Sequence, residues 1–487
     1  MALSQEHVND DLFLDADSGY SNNGAGMLRR FYVKSPPGST FVLVLTFFLI
    51  LAAVPIRAQE QSFSLTDAVR YALEHNNEIR ATESSVAAKQ DDVGLARSNL
   101  LPRVFFEERY LRTNNPTYAF MAKLNQGLFT SRDFAIDNLN NPSPIDDYQT
   151  QFGVEQPLFV PKAWVGLDMS KREHEAGSIA LVRKKEEIAF QVCQAWLAVH
   201  TTKAQLVVAE KGVADAREHY RIAKLRYEAD LGMYADTLRA NTALAEAEQR
   251  NVTAGKQYNL ARRVLGLLLG LTNSVDVTGE IPDFQARDID EYAKASLTRG
   301  DVRSMELRYE NAEKNIRVSE SDYLPYIGVG GGWQWNDPSH PFGGDGDSWQ
   351  VSAFLRWNLF DGTKREYERS KAKHQARQAL ENLAGMKKAV AYGLYHAQLG
   401  VEEAKANLDL ARQALKTAEE GTRLMQMRYE NAFSPIVDLL DTQVVLDRAR
   451  AGLVARENEF RVAILNLGWE SGVILKELGI ALKEKNY

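Results

Sequence analysis

The sequence predicts a mainly helical chain built as a tandem duplication, in which each copy sets a pair of β-strands among very long helices. Three observations carry this. First, Trp164 to about Leu231 and Thr363 to about Ala432 run without proline and are dominated by Ala, Leu, Glu, Lys and Arg, which are strong helix formers. At ~1.5 Å per residue each makes a rod of roughly 100 Å, well beyond globular helix lengths. Second, Leu394, Val401, Leu408 and Leu415 recur every seven residues, with Ala397, Ala404, Ala411 and Ala418 three after each. This is a heptad seam whose alternate position is always small, so helices can approach closely. Ile188, Val192, Ala195, Val199, Leu206 and Val213 form a looser seam in the first rod. Third, the halves match. Tyr148–Phe159 (YQTQFGVEQPLF) resembles Trp349–Phe360 (WQVSAFLRWNLF), Arg226-Tyr227-Glu228 matches Arg428-Tyr429-Glu430, and Leu101-Pro102 matches Leu324-Pro325. An internal repeat decides the fold.

Composition narrows the class. The 487 residues are 45% apolar and 25% charged, an ordinary folded composition. Net charge is −7, which disfavours nucleic acid as a partner. Mean hydropathy is −0.35 and only one stretch is long and apolar, which excludes a polytopic helical membrane protein. The single cysteine, Cys193, excludes an internal disulfide framework and a multi-thiolate zinc site.

In chain order, residues 1–58 read as an export signal with an N-terminal extension. Arg29, Arg30 and Lys34 precede an apolar core from Phe41 to Val54, and Ala58 offers a small residue for cleavage. That core is too short to span a bilayer, and Met27 is the expected true start. No cysteine lies near the cleavage point, so an acylated N-terminus is not expected. The first copy covers 62–280, with strands at about 103–112 and 148–159. A linker follows at 281–288. The second copy covers 289–480, with strands at about 325–336 and 348–360. Leu65–Leu100, Tyr234–Leu269, Ile289–Tyr323 and Pro435–Trp469 are each about half a rod long, so two stacked end to end lie beside each long helix.

The strands alternate. Trp349, Val351, Ala353, Leu355, Trp357 and Leu359 share one face against Gln350, Ser352, Phe354, Arg356 and Asn358. Trp333, Trp335, Trp349 and Trp357 fall on the second pair, as the interfacial girdle of a membrane barrel requires. Four strands cannot close such a barrel, and an open edge in lipid leaves backbone groups unsatisfied. Several chains must therefore contribute strands to one oligomeric transmembrane β-barrel. Two chains supply eight strands and a filled interior; three supply twelve and room for a lumen.

This ordered set resembles the TolC-like outer-membrane efflux family from about Leu65 to Gly472. Its carriers are the duplicated plan, the Leu-Pro before each first strand, and the Gln-Pro-Leu-Phe and Trp-Asn-Leu-Phe strand ends. The turn motifs Arg226-Tyr227-Glu228…Asp236-Thr237-Leu238 and Arg428-Tyr429-Glu430…Asp438-Leu439-Leu440-Asp441 complete it. The resemblance implies a homotrimer with a coiled-coil α-barrel in the periplasm and the β-barrel among outer-membrane lipid of a Gram-negative bacterium. It also implies a periplasmic adaptor protein and an inner-membrane pump of the RND, ABC or MFS type, as in tripartite efflux or type I secretion.

By the same resemblance the pore constriction falls on Asp438 and Asp441, after Ser434 as cap and Pro435 in the first turn. Three apart, the two acids share a helix face, and in a ring they favour cations. The alternative is two solvated acids stabilised at a helix N-terminus. Asp236 and Tyr429 match a latch between neighbouring hairpins. The sequence departs from the family at Ser434, where a basic residue is usual, and at Asp230 and Ala432, where glycine is usual. Arg239 stands where the second copy has Asp441.

No His-Glu-x-x-His, Gly-x-Ser-x-Gly or phosphate-binding loop occurs, so neither an enzyme nor a bound cofactor or metal is expected. A non-conducting periplasm-spanning stalk is the alternative to a conduit, and conductance in planar bilayers separates the two.

Overall fold

The computed structural model describes residues 61–482; the expected signal region lies outside them. In chain order the elements are β1 (Ser62–Phe63), α1 (Leu65–His75), α2 (Asn77–Ser98), β2 (Arg103–Thr113), α3 (Pro116–Asn125), α4 (Ile136–Asn140), β3 (Ile145–Phe159), α5 (Pro161–Glu228) and α6 (Tyr234–Leu268). There follow β4 (Asp276–Val277), α7 (Ile289–Ser296), α8 (Gly300–Ser321), β5 (Tyr326–Asp337), β6 (Gly346–Arg356), α9 (Lys364–Glu430), α10 (Ile436–Ser471) and α11 (Ile474–Glu477). No helix among the described residues is long and apolar enough to cross a membrane.

The two rods are α5 and α9, of 68 and 67 residues. Pro161 opens α5 in its first turn, where a missing N–H costs nothing. The alanine seam is buried as its spacing predicts: Leu394, Ala397, Ala404, Leu408 and Ala418 are buried in α9, with Val401, Ala411 and Leu415 half-buried. In α5, Ile188, Val192, Ala195 and Val199 are buried likewise.

The half-length helices differ from expectation in one respect. Leu65–Leu100 and Ile289–Tyr323 are each broken near their start. Asn76 ends α1 and caps α2, its Oδ1 accepting from the amides of Glu78 (2.8 Å) and Ile79 (3.3 Å), while its Nδ2 donates to the Leu268 carbonyl (2.8 Å) at the end of α6. In the second copy Arg299 holds the break. It donates to the Glu470 carbonyl (2.8 Å) and carboxylate (2.9 Å) at the end of α10, and to Asp301 (2.6 Å). Each break therefore sits where the partner half-helix ends, and a polar side chain satisfies the exposed helix terminus.

β2, β3, β5 and β6 form one antiparallel sheet in that order, leaving β2 and β6 as edges. β6 stops at Arg356, opposite Tyr326 where β5 begins, rather than at Phe360. Beyond it Arg365 donates to the carbonyls of Asn358 (2.9 Å) and Leu359 (2.6 Å) and lies 4.6 Å over the Tyr323 ring, which fixes the entry to α9.

The main core lies midway along the rods, where α1, α5, the end of α6 and α10 meet the small parallel pair β1–β4. Trp196 is fully buried there and donates to the Phe63 carbonyl at 2.9 Å. Phe190 stacks on Trp469 at 5.3 Å, with the Arg183 guanidinium 4.8 Å from the Trp469 ring. Cys193 is buried beside them, its thiol pushed up to about 12 by desolvation, so it is inert. Trp196→Ala is expected to destabilise the protein by about 3–5 kcal/mol, read as a lowered denaturant midpoint of the detergent-solubilised protein.

Candidate functional site

Two regions carry function-bearing side chains: the sheet faces and the turns at the far end of the rods. In the sheet, register places Phe106, Phe152, Trp333 and Trp349 in one row across all four strands. The Phe106 and Phe152 rings are 4.9 Å apart, and Trp335 lies 6.0 Å from Phe152 and 6.2 Å from Trp333. Val104, Val154, Val329, Val351, Ala353 and Leu355 continue this apolar face. The opposite face carries Glu107, Arg109, Gln149, Gln151, Glu155, Gln334, Gln350 and Ser352. Trp357 shares the parity of the apolar face but lies past the end of β6, where its Nε1 donates to the Tyr323 carbonyl at 3.1 Å.

The glycines within the strands have a packing role that register sets. Phe105 lies over Gly153 and Phe354 over Gly328, so that a Cβ at Gly328 would come within 2.7 Å of the Phe354 ring. Each phenylalanine covers the bare backbone of its cross-strand neighbour.

At the far end, α5 turns into α6 and α9 into α10. Both turns use a left-handed residue, Asp230 (φ 53°) and Ala432 (φ 60°), followed by backbone bonds from Leu231 to the Arg226 carbonyl (2.8 Å) and from Phe433 to the Arg428 carbonyl (2.7 Å). A positive φ is the conformation glycine adopts most readily, which accounts for the glycine that the resemblance leads one to expect at both positions.

The tips are tied within one chain. Arg226 donates to the Tyr429 carbonyl at 2.6 Å and its guanidinium lies 4.9 Å over the Tyr429 ring. Tyr429 is buried among Ala223, Ala240, Ile436 and Leu439. Burial pushes its phenol above the ordinary value, opposed by Arg226 and reinforced by Asp236. Asp236 is thus close, but no hydrogen bond joins it to Tyr429 among the described residues; its ion pair is with Arg239, at 3.8 Å. Within one chain, then, the polar contact on Tyr429 is made by Arg226, and Asp236 stands near the ring without a hydrogen bond to it. Ser434 does not cap α10: Pro435 is the cap residue, no side chain bonds the first turn, and the buried Ser434 Oγ has no partner. Proline fixes the extended cap geometry but offers no acceptor. Asp438 lies in the first turn of α10, with Asp441 exposed one turn on. Neither forms a hydrogen bond or ion pair among the described residues.

A second tie between the hairpins was missed. Gln443 Nε2 donates to Asp215 (3.2 Å) and Asp447 (2.9 Å), Arg450 to Asp215 (3.0 Å), and Arg250 pairs with Asp447 at 3.6 Å. Burial raises the Asp447 carboxyl, against Gln443 and both arginines. Gln443, Asp447 and Arg450 share one face of α10 at helical spacing, which was the available signal. Among the described residues no group of three His, Cys, Asp or Glu side chains is placed to hold a metal.

Paired rods with a small amphipathic sheet at one end, open at both edges, define a class: outer-membrane channels whose helical part extends into the periplasm. The chain belongs to the outer membrane efflux protein family, whose model matches residues 68–271 and 292–468, one block per copy. It is an efflux channel of the TolC type in the outer membrane of Gram-negative bacteria, not an enzyme. Its structure is similar to a membrane protein from Pseudomonas aeruginosa (TM-score 0.72, 18% identity, covering 85% of this chain and 91% of that one). It is also similar to the CmeC outer membrane channel of Campylobacter jejuni (0.72, 14%, 84% and 86%). The open state of the Neisseria gonorrhoeae MtrE outer membrane channel matches at 0.68, with 15% identity over 84% and 89% of the two chains. No curated protein matches the sequence significantly.

Removing Arg226 as Arg226→Ala is expected to loosen the tip by about 1–3 kcal/mol, seen as faster amide hydrogen exchange across 429–435 with the rods unchanged. Ala432→Gly should act oppositely, tightening the turn by about 0.5–1 kcal/mol.

Proposed function

We propose that three copies join their β2 and β6 edges into one twelve-stranded barrel and form a conduit that continues through the rods to the tips. The observation that carries this is a four-stranded sheet with two unpaired edges and one face dominated by valine, phenylalanine and tryptophan, in a family whose members reside in the outer membrane. Lipid tolerates no unpaired strand edge, and twelve strands leave a water-filled lumen lined by the polar face. Trp333, Trp335 and Trp349 would mark one membrane interface and Trp357 the other. The eight steps from Trp349 to Trp357 cover about 26 Å along the strand, or roughly 20 Å of height at a barrel tilt of about 40°, most of an apolar band of ~25 Å.

At the tips, Asp438 and Asp441 from three chains make two rings of carboxylates at the narrowest point of the conduit. Their freedom from partners in their own chain supports this role, because a structural acid is ordinarily paired. The Arg226–Tyr429 contact and the Gln443–Asp447–Arg450 network hold the hairpins together, and a periplasmic adaptor, bringing an inner-membrane pump of the RND, ABC or MFS type, opens them by binding the splayed state more tightly. Asp236 contributes through Tyr429 rather than as a direct bond.

In planar bilayers the protein should conduct with a preference for cations. Asp438→Asn combined with Asp441→Asn should move the reversal potential under a salt gradient towards zero. An unchanged reversal potential removes the two acids from the constriction, and a monomer in detergent removes the conduit.

A further inference from the structure

The two copies differ most at the extracellular end of the sheet. Between β5 and β6 the chain turns within residues 338–345, whereas between β2 and β3 residues 114–144 hold α3, a 3-10 turn (Ser131–Phe134) and α4. This longer connection is folded in its own right. Asn115 caps α3, accepting from the amides of Thr117 (3.1 Å) and Tyr118 (3.3 Å). Phe129 stands edge-on to Phe120 (4.7 Å) and Phe134 (5.0 Å). Lys123 pairs with Asp133 at 2.7 Å.

The side of the sheet on which α3 sits decides what it can do. Gln126, buried, donates through Nε2 to the Asp147 carboxylate (2.9 Å) and the Asp146 carbonyl (2.8 Å), and Asn336 Nδ2 donates to the same carboxylate at 3.0 Å. Asp147 and Asn336 share the polar face with Gln149 and Gln334, yet they are 0% and 1% exposed. Gly346, opposite Asn336 in register, has no side chain where the Asn125 carbonyl oxygen rests, and a Cβ there would collide with it. The end of α3 is therefore seated on the face that lines water, not the face that meets lipid. The short connection bends the other way, with Phe342 stacked on Phe106 of the apolar face at 6.1 Å.

The side of α3 away from this seat carries Tyr118, Met121 and Leu124, at helical spacing and 57%, 51% and 49% exposed. A seat inside the barrel turns that stripe towards the lumen, where lipid cannot reach it. The groups that share the enclosure are the same stripes on neighbouring copies, brought there by the joining of β2 and β6 edges. We propose that the α3 helices of adjoining copies pack their Tyr118–Met121–Leu124 stripes against one another and cap the extracellular mouth of the channel. This rests on the barrel being closed by several copies. The channel then has a second closure, separate from the tips and held by apolar contact rather than by charge.

The test uses full-length protein in whole cells, where the native thiol Cys193 is buried. Met121→Cys should form disulfide-linked pairs of this chain on mild oxidation. Ser352→Cys, on the polar face below the cap, should resist a polymer-linked maleimide added outside. It should become fully labelled once Tyr118→Asp, Met121→Asp and Leu124→Asp are added. Gly346→Val, which displaces α3 without touching the stripe, should expose Ser352→Cys in the same way. Sedimentation in detergent reports assembly separately. An oligomer in which Met121→Cys links only to another protein or not at all, or in which the polymer labels Ser352→Cys from the start, overturns the cap. A monomer overturns the shared barrel beneath it.

Discussion

A sheet with two free edges and one face that belongs in lipid is the constraint from which the rest of this molecule follows. Backbone N–H and C=O groups at an edge must find partners, and hydrocarbon offers none. A soluble protein blunts its edge strands with charge, proline or a covering helix; here β2 and β6 are eleven residues each, and the face between them is a band of valine, phenylalanine and tryptophan. In the proposed barrel, the partner that satisfies them is a second copy of the same chain. Oligomerisation on that reading is a condition of insertion rather than a later refinement, because the four strands of the described residues cannot close a barrel by themselves.

The helical part obeys a second constraint, that of a cylinder with uniform wall. Each rod must be flanked along its whole length, and the chain does this by abutting half-helices end to end. Abutted termini are expensive, because unsatisfied amides and carbonyls face one another. Asn76 and Arg299 resolve this at equivalent places in the two copies, one with an amide and one with a guanidinium, each reaching a carbonyl at the end of the neighbouring half-helix. The main core gathers round these joints, so the rods are anchored midway and their tips extend from a fixed collar.

What the sequence disclosed and what it withheld divide along the same line. Periodicity exposed the rods, the alanine seam, the strand faces and the repeat, because each is set by residues close together in the chain. The helix breaks were hidden, since the partners of Asn76 and Arg299 lie nearly two hundred residues away in Leu268 and Glu470. The strand glycines were visible but mute until register set Phe105 over Gly153 and Phe354 over Gly328. At the tips, the resemblance pointed to Tyr429 and Asp236, whereas the contact that ties Tyr429 within its own chain had no signature in residue spacing. Arg226, quoted only as part of a motif, donates to the Tyr429 carbonyl 203 residues away. Missing glycines at Asp230 and Ala432 did not alter the turn, because the Arg226 and Arg428 carbonyls are bonded there whichever residue carries the positive φ.

Duplication made the scaffold symmetric, so specialisation must be sought where the copies disagree. Along the rods and strands the disagreements are small. They concentrate at the two ends. At the tips, Asp441 in one copy is answered by Arg239 in the other, and Arg239 pairs with Asp236 and is neutralised while Asp438 and Asp441 are left free. On the proposed reading, a pore lined by both hairpins takes its charge from the second copy. At the mouth, the second copy turns tightly against the lipid-side face, and the first spends thirty-one residues building a folded connection over the water-side face. In the two proposals above, one copy supplies the charge and the other the cap, at opposite ends of one continuous path. The two proposed closures therefore rest on residues of different copies, so that a change in one leaves the other undisturbed.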